Sequence, residues 1–159
     1  MRLKQALEKI KGNKEIKALE NQGYFLNSCI AMMKYSDAEP ESWTLTYFSN
    51  ATELVSAVNV NNGVDVKQPA RATSKTTRKL DLKQVKVFDK NVLEKSKQAF
   101  EKGFRTSSKQ IILTLSHTGN RLLWSANFVT PNLELVIIKT DAETGEAISK
   151  TKESLTAPV

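Results

Sequence analysis

Apolar residues recur at spacings of three and four in two segments and alternate with polar residues along much of the remaining chain. Leu3, Ala6, Leu7 and Ile10 fall at i, i+3, i+4 and i+7, and Ile16 and Leu19 continue the stripe beyond Gly12-Asn13. This period predicts a helix over 2–22, with a break available at Gly12-Asn13 and Gly23 placed to end it. "YFLNSCIAMMKY" reads as a mostly buried strand, "DAEPES" as a turn and "WTLTYFSN" as an alternating strand. "ATELVSAVNV" is a further strand, and Asn61-Asn62-Gly63 is a strong turn signal before "VDVKQ". "PARATSKTTRK" lacks periodicity and reads as a linker or exposed loop, whereas "LDLKQVKVF" alternates imperfectly, like a strand. "NVLEKSKQAFEKGF" is a second helix with Val92, Leu93, Ser96, Ala99 and Phe100 on one face. Three strand signals follow, "KQIILTLS", "RLLWSANFV" and "LELVIIKT", separated by the turns "HTGN" and "TPN". The turn "DAETGE" then leads into "AIS".

The same order of elements occurs twice. Sliding the chain against itself by 81 positions sets Trp43 on Trp124, Tyr47 on Phe128, and Ser49 on Thr130. Glu53-Leu54-Val55 then falls on Glu134-Leu135-Val136 without a gap. One inserted residue brings Asn62-Gly63-Val64 onto Thr144-Gly145-Glu146. The expected fold is α+β, built from two tandem repeats. Each is a helix packed on a three- to four-stranded antiparallel meander that buries one face of its sheet. The boundaries are 1–68 for the first repeat, 69–79 for a basic linker or loop, 80–152 for the second repeat and 153–159 for a tail. Halves of this size build marginal cores alone, which favours their packing together, side by side or face to face.

Charge sharpens one part of this picture. The net charge is +7, and eight basic residues lie between Lys67 and Lys90 against only Asp81 and Asp89. Lys75, Arg78, Lys79 and Lys83 could grip nucleic-acid phosphates without sequence preference, although a charge run is more often a solvated surface. Trp43 and Trp124 read as packing residues and not as base-stacking platforms, since no aromatic pair adjoins the basic segment. No apolar run is long enough for a transmembrane helix, and the basic N-terminal stretch lacks the apolar segment of a secretion signal, so a cytoplasmic protein is expected. Cys29, the sole cysteine, allows neither an internal disulfide nor a cysteine-rich metal site.

The segment "LLWSANFVTPNLELVIIKTDAETGEAIS" resembles the PepSY domain, a small module with a cystatin-like helix-on-sheet arrangement. The resemblance lies in a Trp-led strand followed by a strand that ends in Asp-Ala-x-Thr-Gly-Glu. It rests on Trp124, Asp141, Ala142, Thr144, Gly145 and Glu146. It covers about 91–150, and the first half follows only as a diverged copy without an acid in its turn. The resemblance implies a binding or regulatory module without catalytic residues, in a peptidase-inhibitor or chaperone-like role. A peptide or protein partner is expected to bind through the exposed sheet face, a sheet edge or the groove between the repeats, and the residues themselves suggest no metal or cofactor.

Two patterns invite a chemical reading. Asp141, Glu143 and Glu146 surround one turn, but calcium wants six to eight oxygens, so Asp141 is expected to accept hydrogen bonds from turn amides, as is Thr144 more weakly. Gly145 supplies a positive φ. Cys29 and His117 are arithmetically a nucleophile and base. Cys29 nevertheless lies in an apolar strand, where a thiol packs as a small hydrophobe, and His117 reads as part of an exposed hairpin. No enzymatic activity is expected.

Overall fold

The computed structural model describes residues 1–72 and 78–156. The stripe over 2–22 folds as two helices, α1 (Leu3–Ile10) and α2 (Lys14–Asn21). Gly12 turns the chain at φ 77°, and the Asn13 side chain accepts a bond from the Ile16 amide at 3.0 Å, which starts the second helix. At the other end Gly23 has φ 92°; its amide bonds to Glu20 O and the Tyr24 amide to Leu19 O, the paired bonds of a Schellman motif. Leu3, Ala6, Ile16 and Leu19 are buried.

The strands of the first half are β1 (Phe25–Lys34), β2 (Trp43–Phe48), β3 (Leu54–Val60), β4 (Val64–Val66) and the short β5 (Ala70–Arg71). A second helix unit follows, α3 (Asp89–Gly103). Then come β6 (Gln110–Thr118), β7 (Arg121–Val129), β8 (Glu134–Asp141) and β9 (Ala147–Ser154). They form one antiparallel sheet in the order β4-β3-β2-β1-β6-β7-β8-β9, with β5 also on β3. The order is palindromic about the β1–β6 pair, which runs from Ser28–Ser116 to Lys34–Gln110. The two halves therefore stand side by side and share a continuous ladder through their first strands. The inward face carries Cys29, Leu45, Val58, Leu113, Leu115, Ala126, Phe128 and Ile138, all buried under the helices. Phe100 of α3 stacks on Phe128 with ring centroids 4.5 Å apart.

The structural register between halves differs from the gapless 81-residue match. Phe48 pairs with Val55, but Val129 pairs with Leu135, and the buried positions Ser56, Val58 and Val60 answer to Val136, Ile138 and Thr140. The positive-φ residues of the two turns are Glu53 (57°) and Leu133 (56°). The third strand of each half thus corresponds at a spacing of 80, because the turn before β8 is one residue shorter. The coincidence of Glu-Leu-Val in both segments hid that difference in turn length.

"LDLKQVKVF" is not a strand. Residues Leu82–Gln84 form a single 3-10 turn, and the segment runs as a strap across the helical face. Leu80 and Val85 are buried, the Leu80 amide bonds to Leu26 O, and the Lys86 and Val87 amides both bond to Ala142 O. Their apolar alternation therefore serves docking onto two distant elements, with no ladder partner. β9 also extends further than "AIS" implies, to Ser154, where a tail was expected from 153.

Candidate functional site

Trp43 and Trp124 meet edge to face at the centre of the molecule, with centroids 6.3 Å apart at 67°, and both are fully buried. Their indole N–H groups make equivalent bonds. Trp43 Nε1 donates to Met1 O at 3.1 Å, and Trp124 Nε1 donates to Val87 O at 2.8 Å. Each acceptor lies two residues before its half's helix, so each tryptophan fixes a helix start as well as filling the core. Between these two helix starts lies Asp89, 1% exposed, which accepts the Leu3 amide at 3.2 Å and the Arg2 guanidinium at 3.4 Å. This carboxylate meets the amide end of α1 directly and stands in the first turn of α3, where the helix dipole favours negative charge. In the sequence Asp89 is masked by the basic run around it, and its position at the start of a helical stripe is the only local signal of this role.

The "DAETGE" turn is built as the residue types imply. Asp141 Oδ1 accepts the Glu143 amide at 2.8 Å and the Thr144 amide at 3.0 Å, and Thr144 Oγ1 accepts the Glu146 amide at 3.2 Å. These amide bonds, led by that of Thr144 and joined by the Arg121 guanidinium at 3.4 Å, hold the Asp141 carboxyl below its ordinary range. Gly145 has φ 79°, and a Cβ there would lie 3.0 Å from Val87 Cγ2. The turn also presents Ala142 to Leu122 O and to the strap, so it clamps the segment leading into α3. In the first half Asn61 Oδ1 accepts the Gly63 amide at 3.0 Å, taking the place of Asp141. Among the described residues no group of three or more His, Cys, Asp or Glu gathers closely enough to hold a metal ion.

Cys29 and His117 lie on neighbouring strands, β1 and β6. Cys29 pairs with Leu115, and His117 lies two residues further along β6, inside the strand and not on an exposed hairpin. Only Gly119 and Asn120 remain outside that hairpin's pairing. Burial pushes the Cys29 thiol up to about 12, which keeps it protonated. Both His117 ring nitrogens are sealed from solvent and have no hydrogen-bond partner among the described residues. Burial and, after it, the Arg78 charge lower the His117 pKa; the Asp81 carboxylate and, after it, contact with the Lys79 backbone oppose the shift, the latter without reaching hydrogen-bond geometry.

The described part of the basic segment is partly engaged by protein groups and partly exposed. Lys67 pairs with Asp65 at 2.6 Å, Arg78 Nη1 donates to Asn120 Oδ1 at 3.2 Å, and Lys79 and Lys83 lie exposed along the strap. Lys75 lies outside the described residues.

The sheet itself offers a face and two ends for recognition. The outward sheet face is uncharged along its centre, with Ser28, Ile30, Thr114, Ser125 and Asn127 half-buried and Met32 59% exposed. The sheet ends differ: β4 and β5 are three and two residues long, whereas β9 offers eight. The Leu155 amide bonds to Leu133 O, which sets the alternation along the ladder. By that alternation Lys150, Lys152 and Ser154 turn their N–H and C=O groups away from β8.

The sequence matches no family model and no curated protein. Among solved structures, the crystal structure of a candidate lipoprotein from Clostridium difficile 630 is similar, with a TM-score of 0.56 at 13% identity. The match covers 87% of this chain and 89% of that one. The likeness is one of fold: an α+β protein with helices over an antiparallel sheet. No helix among the described residues is long and apolar enough to cross a membrane.

Proposed function

We propose that this is a non-enzymatic, PepSY-like binding module made of two diverged copies, and that it recognises an extended segment of a peptide or protein partner alongside β9. The observation that carries this reading is the eight-residue free edge, since sheet edges bind extended chains through main-chain hydrogen bonds. Protein edges are usually shortened or broken, as β4 and β5 are here. Lys150 and Lys152 blunt self-association while leaving the outward backbone groups available to another chain. The copies are supported by the palindromic strand order, the matched indole bonds, and the Asn61 and Asp141 turns. The non-enzymatic part of the reading draws on the protonated, buried Cys29.

The test is binding of extended peptides and unfolded polypeptides to wild type and to Lys150→Pro. Proline there removes an N–H that no β8 group uses, so the fold is retained while strand addition is blocked. Micromolar binding lost in this variant is the expected result. No binding by wild type, or equal binding by the variant, overturns the edge reading. The polyanion alternative predicts steeply salt-dependent retention that is lost when Lys75, Arg78, Lys79 and Lys83 are neutralised. A cytoplasmic location belongs to the same proposal and is checked by cell fractionation, with the envelope as the opposing outcome.

A further inference from the structure

We propose that the groove between the α1–α2 hairpin and the strap binds a single-chain anionic amphiphile, with a fatty-acid carboxylate as its simplest member. The groove has a volume of about 520 Å³ and is walled by Leu7, Ile10, Ile16, Leu26, Leu80 and Leu82. That volume falls in the range of small-molecule sites, which run from roughly 300 to 1,000 Å³. Its walls demand hydrocarbon, but its polar groups demand something more specific. Tyr24 and Tyr47 also line it, at 7% and 4% exposure, and neither hydroxyl has a hydrogen-bond partner among the described residues. A phenol this buried ordinarily bonds to protein, so two that open onto one groove mark donors left for an occupant or for water. Burial, reinforced by the Glu20 carboxylate, pushes the Tyr47 phenol up, so it remains a donor at ordinary pH.

Charge identifies the head group. Lys11, Lys17 and Lys79 stand on the groove against the single acid Glu20. Lys11 is paired with Glu8, but Lys17 and Lys79 have no ion pair among the described residues. Exposed lysines attract an anion, and the apolar walls between them and the phenols accept its chain. The groove also depends on tertiary structure, since Lys79, Leu80 and Leu82 reach it only because the strap crosses from the other half. This site is independent of the β9 proposal, which concerns the far end of the sheet.

Dodecanoate is titrated into the full chain below its micelle concentration, followed by calorimetry. Dodecanol tests the chain without the charge, acetate the charge without the chain, and anionic vesicles a membrane headgroup source. The expected result is saturable, stoichiometric binding of dodecanoate, with dodecanol and acetate at least about tenfold weaker and no vesicle capture. Lys17→Glu with Lys79→Glu, both exposed positions, weakens dodecanoate about tenfold or more without changing the circular dichroism spectrum. Tyr47→Phe weakens it with the apolar walls intact. Failure of dodecanoate to bind, vesicle capture in its place, or affinity unchanged in both the charge-reversal and Tyr47→Phe variants overturns the proposal.

Discussion

At the scale of single residues, the two turns at the ends of β3 and β8 use the same device with different strength. Asn61 satisfies one amide, whereas Asp141 satisfies two and carries a charge that Arg121 faces. Asp141→Ala is therefore expected to cost on the order of 2 kcal/mol, and Asn61→Ala markedly less, in urea denaturation. The Asp141 effect has a pH signature. Its folded pKa lies below the unfolded value of about 3.9, so its stabilisation is full above that value and is lost as pH falls through the folded pKa. Wild type loses this increment in acid, and Asp141→Ala has none to lose. The residue types at Asp141, Thr144 and Gly145 announced these roles because Asx-type bonds and positive φ are local properties. Asp89 did not, since its partner amide at Leu3 is 86 residues away.

At the scale of elements, α3 contains a local inconsistency. Ser96 lies on the buried face at 1% exposure, and its Oγ has no hydrogen-bond partner among the described residues. A buried hydroxyl left unpaired costs free energy, and alanine is also the better helix former. Ser96→Ala is expected to raise stability by about 1 kcal/mol, seen as an increase in Tm; a decrease would show that the hydroxyl has a partner in solution. The strap makes the opposite point about reading elements from pattern. Leu80 and Val85 alternate with polar residues as strand residues do, yet they are buried by docking onto β1 and the β8–β9 turn. Periodicity reports which residues turn inward, not whether a ladder is beside them.

At the scale of the molecule, the β1–β6 ladder and the Trp43–Trp124 contact join the halves into one core. Each half alone would expose a first strand with an apolar inward face. The chain is therefore expected to unfold in one cooperative transition, with far-ultraviolet circular dichroism and tryptophan fluorescence giving coincident curves. Fluorescence is well placed to report this, because both tryptophans lie at the shared centre. Two separated transitions would mean that the halves are independent units and that the seam adds little.

By itself the sequence determined the helical stripes, the main strands, the glycine-marked turns and the recurrence of one element order. Each of these follows from period, φ preference or a side chain that bonds within a few residues. The tertiary structure decided the side-by-side joining through β1 and β6, the one-residue slip in the second half's third strand, and the course of the strap. It also decided the pairing of Asp89 with the start of another helix and the gathering of Tyr24, Tyr47, Lys17 and Lys79 on one groove. These depend on which segments meet across the chain, and a local pattern carries no information about a partner that lies dozens of residues away.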